Sequence, residues 1–136
     1  MAETKDKLLI VEDDPGQQSQ LKWSFEDFDV EVAEDRETAL AHLRRFEPPV
    51  VTLDLGLPPD PGGVSEGFGL LDEMLALAPD TKVIVVSGHN DRTNAMRAIA
   101  MGAYDFYEMP SDPDLLGITI GRGARLYQIE QENRRL

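Results

Sequence analysis

Short apolar runs alternate along the chain with longer amphipathic stretches. The runs at 8–11, 30–33, 50–53 and 82–86 predict strands, and a weaker run at 104–107 predicts a fifth. After each run, apolar residues recur every three or four positions, the spacing of a helix with one buried face. Because the strands lack alternation of apolar and polar residues, we expect a sheet covered on both faces. Five strand–helix units in order predict an α/β fold with a doubly wound, five-stranded parallel sheet.

Local signals place helix boundaries and core positions. Asp14 before Pro15 predicts the cap of the first helix, Asp35 predicts the cap of the second, and Asn90 or Asp91 that of the fourth. Apolar residues at helical spacing are expected to pack against the sheet or along its edge. These residues include Trp23, Phe25 and Phe28 around the first helix, and Met74, Leu75 and Met96 further on.

Composition narrows the classes of function. The chain has 136 residues, enough for one domain, and its absence of cysteine excludes disulfides and thiolate chemistry. A net charge of −13 disfavours direct binding to nucleic acids or to anionic membranes. With neither a signal peptide nor an apolar membrane span in the sequence, a cytoplasmic protein is expected.

Acidic residues follow two of the predicted strands. Glu12 and Asp13 end the first strand, Asp54 ends the third, and Ser87 ends the fourth. In such sheets, ligands bind at the carboxyl ends of the strands. Two carboxylates about 4 Å apart repel by roughly 4 kcal/mol at an effective dielectric near 20, so this arrangement favours a hard cation such as Mg²⁺. One acidic strand end alone would more simply be a helix cap, as Asp14 is expected to be.

The combination of four segments resembles the receiver domain of two-component response regulators. The segments are LLIVEDDP, VVTLDLGLP, KVIVVSGH and GAYDFYEMP, and the resemblance covers roughly residues 7–126. It implies a flavodoxin-like (βα)5 three-layer sandwich and a signalling domain, phosphorylated by a sensor histidine kinase, in place of a classical enzyme.

The resemblance also implies a role for each residue at the strand ends. Asp54 resembles the phosphoacceptor, Asp13 the direct Mg²⁺ ligand, and Glu12 the acidic partner acting through a metal-bound water. The backbone carbonyl of Gly56 would be a further ligand. Three more residues have implied roles near the pocket, namely Ser87 as the switch hydroxyl, Phe106 as the switch aromatic and His89 at the pocket mouth.

Met109 departs from the family pattern. The family normally has a lysine at this position, whose ammonium pairs with the phosphorylated aspartate, and neither Glu108 nor Pro110 replaces it. A natural variant, a degenerate receiver and an engineered substitution all remain open. We expect phosphorylation to survive while its coupling to Phe106 weakens. The peptide bond before Pro110 is often cis in this family, which the sequence does not decide.

Two further segments are unusual. The loop at 58–67 runs about five residues longer than is usual in receivers, which suggests either a lid beside Asp54 or a tolerated surface insertion.

The receiver is predicted to span 1–126. Residues 127–136 are predicted to extend the last helix as a coiled-coil linker to an output domain outside this sequence. Leu126, Ile129, Asn133 and Leu136 have the a and d spacing of a coiled coil, which favours a homodimer.

The sequence as a whole, including the tail segment RLYQIEQENRRL, resembles receivers of sigma-54-dependent activators associated with PEP-CTERM exosortase systems, so the expected output is transcription. Two other functions are weighed against a phosphorylated receiver. A Mg²⁺-dependent phosphatase would want a second aspartate where Gly56 stands. A phosphorylation-independent pseudo-receiver, acting as a dimerisation module, is favoured by Met109 and disfavoured by the intact acidic pocket.

Overall fold

A computed structural model describes residues 5–89, 92–109 and 112–135. Five strands alternate with five helices, as the apolar pattern predicts. The strands are β1 (Lys7–Val11), β2 (Asp29–Ala33), β3 (Val50–Leu53), β4 (Lys82–Ser87) and β5 (Asp105–Glu108). The helices are α1 (Pro15–Ser24), α2 (Arg36–Phe46), α3 (Ser65–Leu77), α4 (Arg92–Met101) and α5 (Pro113–Arg135).

All strands pair in parallel, in the order β2-β1-β3-β4-β5. The predicted doubly wound sheet is therefore confirmed. The chain reverses its direction of winding between β1 and β3, and the carboxyl ends of these neighbours open a crevice there. This crevice is where β1, β3 and β4 deliver the acidic residues and the serine.

The core has one cluster on each face of the sheet. On one face, alternate strand residues such as Leu9 and Val51 pack with α2, α3 and α4, around the fully buried Phe68 and Met74. On the other face, Leu8 and its neighbours pack with α1 and α5. Burial on both faces explains why the central strands are apolar at successive positions.

Helix caps fix where α1 and α2 begin. The Asp14 carboxylate accepts a hydrogen bond of 3.1 Å from the N–H of Gly16, and Pro15 occupies the first turn. Asp35 accepts a 2.9 Å bond from the N–H of Thr38. Both predicted caps are confirmed, and the predicted cap of α4 at 90–91 lies outside the described residues.

Two predicted core residues are exposed instead. Trp23 has 79% of its surface exposed and Met96 has 61%, so the prediction that they pack against the sheet is wrong. Leu21 is the buried residue of α1, and Ala98 is the buried residue of α4. Phe25 is buried as predicted and meets the half-buried Phe28 edge to face at 6.4 Å.

The end of α5 is hydrogen-bonded to the body of the domain. Lys82 pairs with Glu130 at 2.6 Å, and Asp80 accepts bonds from Gln131 at 3.0 Å and Arg134 at 2.8 Å. Leu126 and Ile129, two of the predicted coil positions, are partly exposed, so they do not belong to the core. In the described ranges, no helix is long and apolar enough to cross a bilayer.

Candidate functional site

Three carboxyl groups converge at the carboxyl ends of β1 and β3. One oxygen each from Glu12, Asp13 and Asp54 lies within 4.8 Å of the others. Backbone bonds hold these residues in place, since the N–H of Asp54 donates to the Val11 carbonyl at 3.0 Å. Parallel pairing of β1 with β3 thus brings together residues that are about forty positions apart in the sequence.

Three negative charges close together at this cluster would be unfavourable without a compensating positive charge. Glu12 is buried, and this burial is the largest cause that raises its pKa to about 9. A hydrogen bond with Asp54 and the negative charges of Asp54, Asp13 and Asp14 raise the pKa further. Burial disfavours a carboxylate unless a partner compensates its charge, so Glu12 holds a proton when no cation is near.

Ser87 connects the acidic cluster to β4. Its side chain is fully buried, and its hydroxyl donates a 3.1 Å hydrogen bond to Oδ1 of Asp54. The backbone N–H of His89 donates to the same hydroxyl oxygen at 3.1 Å. Oδ1 of Asp54 also accepts a 3.3 Å bond from the N–H of Gly56. Asp54 is therefore held between two loops, after β3 and after β4.

Phe106 and Met109 lie on opposite faces of the sheet. Phe106 is half-buried and packs against the cluster beneath α2, α3 and α4. Met109 is also half-buried, but it packs against the cluster beneath α1 and α5. Its N–H donates to the carbonyl of Ser87 at 3.1 Å. The Met109–Pro110 peptide bond raised by the sequence lies outside the described residues.

The Asp54 carboxylate lacks the cationic partner that a lysine at position 109 would bring. Across the described parts of the chain, no lysine, arginine or histidine forms an ion pair with it. The Met109 side chain has no charge and no hydrogen atom to donate. The remaining neighbours of Asp54 are neutral donors and other carboxyl groups.

The donor set fits a hard divalent cation. Carboxylate and carbonyl oxygens are the ligands that Mg²⁺ prefers, and it binds through one or two carboxylates while keeping several waters. Burial, followed by the neighbouring carboxylates, raises the pKa of Glu12, and a cation bound there would offset both effects. Nitrogen and sulfur ligands, which softer metals favour, are absent from the described cluster.

Sequence reasoning missed two contacts at the site. The side-chain amide of Gln18 on α1 donates to the Glu12 carbonyl at 2.5 Å. A Cβ on Gly56 would lie only 2.6 Å from the carbonyl oxygen of Pro61. No sequence signal identifies either contact, because both depend on how α1 and the 58–67 loop pack in three dimensions.

Comparison with known proteins assigns this arrangement to a family. The response regulator receiver domain profile matches residues 8–120, so the chain belongs to that family. Receiver domains are signalling modules, not classical enzymes. The acidic cluster and Ser87 lie where the resemblance in sequence implied them.

Individual relatives agree with this assignment. The chain is 32% identical over 131 residues to nitrogen assimilation regulatory protein NtrX of Azorhizobium caulinodans, covering 95% of this chain and 28% of NtrX. It is 30% identical over 133 residues to the C4-dicarboxylate transport transcriptional regulatory protein DctD of Pseudomonas aeruginosa, covering 96% and 28%. The chain therefore spans little more than a quarter of the length of these relatives.

Solved structures share the fold. A CheY-like receiver domain protein from Methanospirillum hungatei has a TM-score of 0.83 at 26% identity, covering 93% of this chain and 99% of that one. The beryllofluoride-activated receiver domain dimer of NtrC4 has a TM-score of 0.79 at 28% identity, covering 89% and 98%.

Proposed function

We propose that this receiver domain accepts a phosphoryl group on Asp54 from a sensor histidine kinase, with Mg²⁺ as cofactor. The observation that carries the proposal is the convergence of Asp54 with Glu12, Asp13 and Ser87 in one crevice. A helix cap explains one acidic residue at a strand end, but it does not explain three carboxyl groups beside a buried hydroxyl.

Glu12, Asp13 and Asp54 would hold the ion together with the backbone carbonyl of Gly56. Bound there, Mg²⁺ would neutralise negative charge on the incoming phosphoryl group and on the surrounding carboxylates. A carboxylate oxygen of Asp54 attacks the phosphorus of the phosphohistidine. The P–N bond breaks, and the imidazole of the kinase keeps the electron pair. Positioning and charge neutralisation supply most of the catalysis in such transfers.

Ser87 is the residue that senses the new group. Its hydroxyl contacts Asp54 directly, so a phosphoryl group on Asp54 offers it stronger acceptors than a carboxylate oxygen does. Phe106 lies on β5, whose residue 108 pairs with Ser87 in the sheet register. A shift of the hydroxyl would therefore reach the β5 edge, where Phe106 is half-buried.

The output is transcription, in a cytoplasmic protein that acts as a homodimer. The relatives named above are regulatory proteins, DctD a transcriptional one, and the NtrC4 receiver is a dimer in its activated form. Residues 127–136 would extend the receiver of residues 1–126 toward an output domain. The proposed link to a PEP-CTERM-associated sigma-54-dependent activator rests on the resemblance of the sequence as a whole, including the segment RLYQIEQENRRL.

Intact mass after incubation with Mg²⁺ and acetyl phosphate tests the proposal, with Asp54→Asn as the matched control. We expect one phosphoryl adduct that requires both Mg²⁺ and Asp54. A folded sample with no adduct would overturn the proposal and favour the phosphorylation-independent dimerisation module. Met109→Lys would then show whether the absent ammonium is the reason.

A further inference from the structure

The space beside Gly56, two residues after Asp54, is filled by the protein's own backbone. A Cβ on Gly56 would lie 2.6 Å from the carbonyl oxygen of Pro61 and 3.1 Å from Nε2 of His89. Gly56 does not have a positive φ, so the close approach, not the backbone conformation, requires glycine there. The turn of the 58–67 loop thus occupies the space that a side chain at position 56 would fill.

Internal hydrogen bonds give the 58–67 loop a defined path. The N–H of Asp60 donates to the Leu57 carbonyl at 2.9 Å, and the N–H of Gly63 donates to the Asp60 carbonyl at 3.1 Å. The Ser65 hydroxyl donates to the Asp60 carboxylate at 2.8 Å. These bonds hold the loop in a compact turn around Asp60, and the Pro61 carbonyl of that turn approaches Gly56.

Both ends of the loop are attached to the fold. Leu57, just before it, is fully buried. Glu66 pairs at 2.7 Å with Arg36 of α2, and Arg36 also contacts Glu73 of α3. With the ends of the loop held, the Pro61 carbonyl oxygen and Nε2 of His89 both lie close to the Cβ position of Gly56.

We propose that the 58–67 loop is a lid on the phosphoacceptor pocket, in which the Pro61 backbone and the His89 side chain close the side at Gly56 against water. The lid would lengthen the life of a phosphoryl group on Asp54. This inference rests on the proposed function, because it concerns the fate of that group.

The reaction that the lid slows is hydrolysis of the acyl phosphate. The oxygen of a water molecule forms a bond to phosphorus, and the bond between phosphorus and the Asp54 oxygen breaks. Its electron pair returns to the carboxylate, and the attacking water loses a proton to solvent. Inorganic phosphate leaves. Water is the only reactant that this step needs besides the acyl phosphate, so a lid that limits the access of water would slow it.

Gly56→Ala tests the lid, with Gly62→Ala as the matched control in the same loop. The methyl group at position 56 cannot coexist with the Pro61 carbonyl, which must move away, whereas a Cβ at position 62 meets nothing within 4 Å. After phosphorylation with acetyl phosphate and removal of the donor, intact mass follows loss of the adduct at saturating Mg²⁺. We expect Gly56→Ala to lose it severalfold faster than wild type, and Gly62→Ala to match wild type.

The direction of the change separates the lid from a direct effect of the methyl group. A methyl group that itself shielded phosphorus would slow hydrolysis, so a slower or unchanged Gly56→Ala overturns the lid. If wild type takes no phosphoryl group, the proposed function fails and the lid fails with it. If wild type is phosphorylated and the variants decay alike, only the lid fails. Deletion of residues 59–63, with circular dichroism as a check on folding, gives a second readout should Gly56→Ala not fold, and faster decay is again expected.

Discussion

The hydroxyl of Ser87 donates a 3.1 Å hydrogen bond to Oδ1 of Asp54, and it joins the ends of β4 and β3. The hydroxyl oxygen of Ser87 in turn accepts a 3.1 Å hydrogen bond from the backbone N–H of His89, so the hydroxyl links Asp54 to the loop after β4. We therefore expect a charge added to Asp54 to shift the loop after β4. The expected route to β5 is the sheet itself, because β5 pairs with β4 along its whole length.

Ser87→Ala separates phosphorylation from its readout. Removing the hydroxyl leaves the acidic cluster in place, so we expect the Asp54 adduct to form. The loss of one hydrogen bond to a charged group, about 1.5–3 kcal/mol, should uncouple the site from β5. Backbone NMR shifts at Phe106, measured with and without beryllofluoride, should change in wild type and stay still in the variant. Ser87→Thr keeps the hydroxyl and should restore the shift; equal responses in all three proteins would contradict the coupling.

Met109→Lys should strengthen the response to phosphorylation. The new ammonium would supply the ion pair that Asp54 lacks among the described residues. Met109 is half-buried, so Met109→Leu serves as the control for its packing. We expect Met109→Lys, but not Met109→Leu, to change the lifetime of the phosphorylated form or its dimer fraction, the latter measured by light scattering. If the lysine and leucine variants behave alike on both counts, the absent lysine does not limit the switch.

Two helical glycines should respond to alanine with opposite signs. A Cβ on Gly67 would lie 2.4 Å from the backbone of Leu55, so Gly67→Ala should force α3 away and destabilise the fold by about 1–3 kcal/mol. Gly121 in α5 has nothing within 4 Å of its Cβ position, so Gly121→Ala should stabilise by about 0.8–1 kcal/mol. Urea unfolding measures both. If Gly67→Ala left the free energy of unfolding unchanged, the backbone after Asp54 would be able to move away at little cost.

Asp35 should make stability depend on acid pH. Hydrogen bonds from the backbone and side chain of Thr38 lower its pKa. A carboxyl whose pKa is lower in the folded state stabilises the fold above its unfolded pKa, and this contribution is lost as pH falls through the folded pKa. Asp35→Ala should cost about 1 kcal/mol at neutral pH and less in acid. The serine in Asp35→Ser can cap the helix but does not titrate, so its advantage over Asp35→Ala should persist in acid. If wild type and Asp35→Ser lost stability in parallel as pH falls, the titration of Asp35 would not explain the pH dependence.

The acidic site was predictable from sequence because it depends only on strand order. Glu12, Asp13 and Asp54 each follow a strand, and parallel neighbours bring such ends together. Trp23 was not predictable in the same way, because α1 buries only Leu21 and its apolar spacing does not specify which side faces the sheet. The approach of Pro61 to Gly56 was not predictable because it depends on the path of the loop, and no periodic pattern in the sequence specifies that path.

The end of α5 should be held to the receiver by Asp80. Its carboxylate accepts bonds from Gln131 and Arg134, and it lies at the turn before β4. Exposed ion pairs contribute at most about 1 kcal/mol, so Asp80→Ala should leave the unfolding midpoint nearly unchanged. Hydrogen exchange by mass spectrometry should nevertheless show faster exchange at 128–135.

Glu132→Ala, an exposed position on the same stretch of helix, is the control and should exchange as wild type does. If Asp80→Ala also exchanges as wild type does, the contacts at Asp80 do not hold the helix. The outcome bears on dimerisation, because Leu126 and Ile129 are partly exposed on this helix. A helix fixed to the receiver presents those residues in one orientation, and a second copy can pair with that orientation at little cost in conformational entropy.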